Sequence, residues 1–158
     1  MEFLYSIIAG IAGTFLMTLF TDLAALVTKY NFHVPSILGT MVTMETKPSG
    51  NVSDSMVSKI WGYVLHYLIG IFYAMLYQNL IQAGIGYGGY THALVFGIVI
   101  GSVAVTFWYS FLKLHPMAPV VRLPLYLVFI FLGHLLLAIA MNATFKTLAQ
   151  IFGTINNN

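Results

Sequence analysis

Asp22, His66 and His134 stand inside long apolar stretches that have no need of them. A carboxylate and two imidazoles are the donor set of a metal or haem site, and they are also the groups that pass protons inside a membrane. Each falls in a different apolar stretch, and each has small or hydroxyl residues at four-residue spacing beside it. Ser6, Gly10, Thr14, Thr18 and Asp22 form one such row. Gly62, His66, Gly70 and Ala74 form a second, and His134, Ala138 and Asn142, with Gly133 alongside, form a third. On a helix this spacing keeps the residues near one face, so each row points at a neighbouring helix. Gly97 and Gly101, followed by Ser102, make a GxxxG pair in the remaining stretch, a common helix-contact pattern in lipid.

Two plain readings compete with a functional site. Small residues at this spacing make a packing seam, for which Gly10, Thr14, Thr18, Gly62, Gly70, Gly97 and Gly101 are the candidates. A single buried histidine is commonly hydrogen-bonded structure, and Asp22 falls close enough to a span end to be interfacial and solvated. Counting about 1.5 Å per residue from the span edges, Asp22 and His66 lie at about 8 to 9 Å depth and His134 at about 16 Å. These depths are similar enough for the three to share one inward-facing polar site.

The elements that must position these residues are membrane spans. The chain has 158 residues, 59% hydrophobic and 6% charged, whereas a soluble domain carries roughly a quarter charged residues. Four stretches are long enough to cross about 30 Å of hydrocarbon: Phe3 to Val27, Ile60 to Ile81, Ala93 to Leu112 and Leu123 to Leu148. Their apolar character is continuous, which argues for helices over barrel strands. The sequence therefore predicts an all-α, single-domain, four-transmembrane-helix bundle over 1–158. The connection over 28–59 holds Pro35, Pro48 and half of the charged residues. A short turn follows the second span (Gly84, Gly86, Gly88, Gly89), and the third connection covers 113–122. A frayed tail is expected at Asn156, Asn157 and Asn158.

Five of the six basic residues, Lys29, Lys47, Lys59, Lys113 and Arg122, fall in or beside the first and third connections, and Lys146 falls opposite. The positive-inside rule then expects connections 28–59 and 113–122 in the cytoplasm and both termini outside. The implied location is the inner (cytoplasmic) membrane. Trp61 and Trp108 are expected near the cytoplasmic interface. His33, His92 and His115 are read as loop or interfacial residues.

Several classes drop out. No basic cluster suggests nucleic acid. With no cysteine, thiolate metal sites and a cysteine nucleophile are excluded. Met41, Met44 and Met56 with Glu45 lack the dense methionine clusters that copper(I) sites favour. No GxSxG, HExxH, P-loop or dinucleotide motif is present, so the residues favour a non-enzymatic role and leave the enzyme question open.

The run Gly10-Ile11-Ala12-Gly13-Thr14-Phe15-Leu16-Met17-Thr18, the pair Leu38-Gly39 and the run Trp61-Gly62-Tyr63-Val64-Leu65-His66-Tyr67-Leu68-Ile69-Gly70 are similar to a group of small bacterial four-span membrane proteins known as domains of unknown function. The resemblance covers the first half of the chain, continues through Tyr73 to Tyr77 and the Gly97 region, and fades after Leu112. It implies a bacterial membrane protein and a role for His66; it implies no activity and gives His134 no support.

The favoured expectation is an accessory or interaction subunit of a membrane complex, surrounded by lipid and associating with other membrane subunits or with itself. Two alternatives stay open. One is an intramembrane ligand, metal or b-type haem site that uses His66 and His134 with Asp22, no cofactor being favoured. The other is a proton-coupled carrier in which Asp22 and His66 titrate as a relay.

Overall fold

Continuous apolar sequence has to satisfy its backbone internally, and helices do so without neighbours. The computed structural model describes residues 2 to 155, and among these it contains five helices and no strand. They are α1 (Glu2–Thr28), α2 (Val34–Thr43), α3 (Met56–Gln82), α4 (Tyr90–Leu114) and α5 (Leu123–Ile155). All except α2 are long and apolar enough to cross a membrane, and the chain is a multi-pass membrane protein. The tail at 156–158 lies outside the described residues.

The long helices overrun the expected spans because hydropathy tracks the hydrocarbon core, whereas backbone hydrogen bonding continues into polar flanks. Several hydroxyls within the spans bond to their own helix: Thr18 donates to Thr14 O (2.8 Å), Ser102 to Ile98 O (2.8 Å) and Thr144 to Ala140 O (2.9 Å). Such back-bonding lets a hydroxyl sit in an apolar setting.

Connection 28–59 is not a plain loop: it contains α2. A helix of ten residues is too short to cross a bilayer, so a reading based on span length passes over it. Its local signals are clear. His33 caps it, with Nδ1 accepting from Ser36 N at 3.1 Å, and Pro35 sits in the first turn. Met44, at φ 56°, closes it while Glu45 N bonds back to Thr40 O at 3.0 Å. Ile37, Leu38 and Met41 are buried, and this burial against α3 holds α2 in place.

α1 is the central helix, packed between α3 and α5, while α4 packs on α5 and α2 on α3. The closest approaches are made by glycines. A Cβ built on Gly10 would lie 2.5 Å from Ile71 Cα, and one on Gly62 would lie 2.0 Å from Pro35 O. Gly13 faces Leu137 and Met141 of α5, and Gly97 and Gly101 of α4 face the His134 turn of α5. The two connections at one end of the bundle touch: Val120 N donates to Gly50 O at 2.8 Å, and Arg122 donates to the Tyr30 hydroxyl at 2.6 Å.

Candidate functional site

The polar rows of α1 and α3 meet face to face. Gly70 makes a notch for the Thr14 side chain, since a Cβ there would fall 1.7 Å from Thr14 Oγ1. One turn along, His66 Nε2 lies 3.0 Å from Thr18 Oγ1. A hydroxyl has one proton, and Thr18 gives it to Thr14 O. His66 must then be the donor, so the network assigns its proton to Nε2 and leaves Nδ1 with a lone pair.

On α5, His134 Nδ1 lies 2.8 Å from Ile130 O, one turn back on the same helix. A carbonyl only accepts, which puts the proton on Nδ1 and leaves Nε2 as a bare acceptor at the far edge of the ring. Tyr73 of α3 meets this ring edge to face, with centroids 5.9 Å apart. Small residues admit both elements here, since Gly101 of α4 and Gly133 of α5 flank the histidine's turn.

His66 and His134 border the same cavity, of about 300 Å³. Its origin is topological. Consecutive helices α3 and α4 touch near their shared turn, where Tyr77 packs on Phe96 (5.1 Å) and His92 (5.2 Å). Away from that turn they diverge, each held by a different neighbour. Ile69, Phe72, Val103 and Phe107 rim the gap and are exposed on their helices. Thr14, Met17 and Leu137 form the back wall, Val34 and Leu38 of α2 close one end, and Ala104 and Trp108 complete the α4 side. The wall is apolar apart from Thr14, His66, Tyr73, His134 and the Trp108 indole. None of its residues carries a fixed charge.

Asp22 belongs elsewhere. Its Oδ1 lies 3.7 Å from His33 Nε2, and the same nitrogen is 3.1 Å from the Tyr63 hydroxyl. Asp22 is 38% exposed, and it does not border the cavity. The structure thus brings two of the three candidate residues together and places the third in a separate cluster with His33, which also caps α2. His92 stacks on Tyr77, and His115 accepts from Met117 N at 3.1 Å.

Among the described residues no three of His, Asp and Glu stand together as a metal-binding group. A bis-imidazole haem would require His66 and His134 each to turn a nitrogen toward one iron. The nitrogens left to do so are Nδ1 of His66, whose Nε2 is bonded to Thr18, and Nε2 of His134, whose Nδ1 is held by its own helix.

Sequence reasoning missed Tyr73, Trp108, Val34 and Leu38 as cavity residues. Trp108, expected at an interface, is 5% exposed and meets Tyr126 edge to face at 5.4 Å. Only the steps of four, three and four residues through Gly97, Gly101, Ala104 and Trp108 hinted that this face of α4 turns inward. Asn142, on the His134 row, accepts from the Tyr77 hydroxyl at 3.0 Å, a buried polar link between α3 and α5. Comparison with protein-family models, with curated proteins and with solved structures finds no match to this chain.

Proposed function

We propose that this protein is an intramembrane binding protein that takes an apolar small molecule sideways from the bilayer into the cleft between α3 and α4. The observation that supports it is the cavity of about 300 Å³, within the size range of small-ligand sites. Its mouth lies midway along two spanning helices, where the surroundings are acyl chains. A mostly apolar wall with a few convergent hydrogen-bonding groups is the usual makeup of such a site. Electron and proton transfer receive less support, because Asp22 is outside the cavity and the two imidazoles bond to different helices.

Tryptophan fluorescence tests the reading. With Trp61→Phe, Trp108 is the only tryptophan left. In lipid vesicles, a fatty alcohol brominated at mid-chain should quench Trp108 saturably. Ala104→Leu, which fills the cavity, should remove the saturable component. Quenching that merely rises with the bromine content of the bilayer, equally in both proteins, would overturn the proposal.

The accessory-subunit reading has its own observation. The side of α4 turned away from α5 exposes Ser102 and Thr106, a face for another membrane helix. Light scattering in detergent tests self-association there: a particle larger than one chain that becomes monomeric in Ser102→Leu/Thr106→Leu supports it, and a monomer of the unaltered protein removes it.

For orientation we propose the cytoplasmic side of the inner membrane for the joined connections, on the distribution of Lys and Arg. Asp54 is exposed and the chain lacks cysteine. Asp54→Cys should therefore react with an impermeant maleimide only after permeabilisation; labelling of intact cells would reverse the assignment.

A further inference from the structure

We infer that the cavity selects an uncharged amphiphile bearing a hydroxyl group, whose O–H donates to His134 Nε2. This rests on the binding reading above and specifies the head group. The first argument is charge. No Lys, Arg, Asp or Glu borders the cavity, and an ionised head placed there loses its hydration without a counter-charge to replace it.

The second argument is hydrogen-bond polarity. His134 is 5% exposed and its Nδ1 proton is committed to Ile130 O. The ring therefore offers a lone pair at Nε2, which has no partner among the described residues. Thr14 is fully buried, and its hydroxyl also has no partner. Among the polar groups of the wall, His134 Nε2 is thus an acceptor and Thr14 can donate. A hydroxyl on the ligand can donate to His134 and still accept from Thr14. A carbonyl or an ether satisfies a donor such as Thr14 and leaves His134 empty, and an ionised carboxylate has no proton to give. Buried polar groups left unpaired by the wrong ligand are a strong source of discrimination.

Competition on the unaltered cavity decides this. In vesicles of Trp61→Phe protein, the saturable quenching of Trp108 by the brominated alcohol is competed with three unbrominated compounds of equal chain length: the alcohol, its methyl ether and the carboxylate in its ionised form. Concentrations are compared as mole fraction in the membrane. The alcohol should compete about tenfold better than the ether, roughly the value of one hydrogen bond, and the carboxylate should compete more weakly still. In His134→Phe the advantage of the alcohol over the ether should disappear. Equal competition by ether and alcohol, or stronger competition by the carboxylate, in the unaltered cavity would overturn the head-group inference with binding intact. An absence of saturable quenching by the brominated alcohol would instead remove the binding reading itself.

Discussion

His66 of α3 donates from Nε2 to the Thr18 hydroxyl of α1 across 3.0 Å, and Thr18 passes its own proton to the Thr14 carbonyl. This relay ties the two polar rows together beside the cavity. Thr18→Val keeps the shape and leaves the buried imidazole N–H without an acceptor. Thermal unfolding in detergent should show a loss of about 1 kcal/mol, within the range found for hydrogen bonds between membrane helices. Thr18→Ser should retain most of the stability. Equal loss in both variants would mean that packing of the Thr methyl group matters more than the hydrogen bond.

The glycine contacts should rank by what a methyl group would strike. Gly62→Ala drives Cβ to 2.0 Å from the Pro35 carbonyl oxygen, where backbone must move, whereas Gly97→Ala meets its nearest atoms at 3.1 Å. Overpacking typically costs about 1 to 3 kcal/mol, and Gly62→Ala should lie at or above the upper end and Gly97→Ala near or below the lower. The amount of monodisperse protein recovered on size exclusion checks the order.

Two histidines should carry their neutral proton on opposite nitrogens. His134 Nδ1 faces a carbonyl, which requires an N–H there; His33 Nδ1 accepts from Ser36 N, which requires the proton on Nε2. Nitrogen-15 spectra of histidine-labelled protein at mildly alkaline pH should show Nδ1–H for His134 and Nε2–H for His33, with His134→Phe and His33→Asn identifying the signals. The same tautomer at both sites would contradict the hydrogen-bond assignment.

Outside the spans, Glu45 accepts from Ser55 and from Ser53, the latter at 2.8 Å, and these bonds hold its carboxyl below the ordinary value of 4.5. A carboxyl whose pKa falls on folding contributes stability that is present above the unfolded value and lost as pH drops through the folded one. The melting temperature should therefore lose a Glu45 component below about pH 4.5. Asp54, lowered by Lys47, titrates in the same direction, so the Glu45 share is the difference between the unaltered protein and Glu45→Gln. Parallel melting curves for the two across this range would exclude the contribution.

Much of the architecture was legible without coordinates. Four apolar stretches specify four spanning helices, because backbone polar groups in hydrocarbon must pair within each span. The rows Gly10–Thr14–Thr18 and Gly62–His66–Gly70 indicated which faces turn inward, since helical spacing aligns every fourth residue. What no spacing encodes is which helix each face meets. That α3 leaves α4 to pack against α1, opening a cavity between two sequence neighbours, depends on the fit of whole helix surfaces. The position of Asp22 depends equally on tertiary structure: it continues the α1 row, yet it lies beside His33 at the start of α2 and not at the cavity with His66 and His134. Periodicity acts along one helix, whereas the pairing of side chains is settled only when separate helices close on one another.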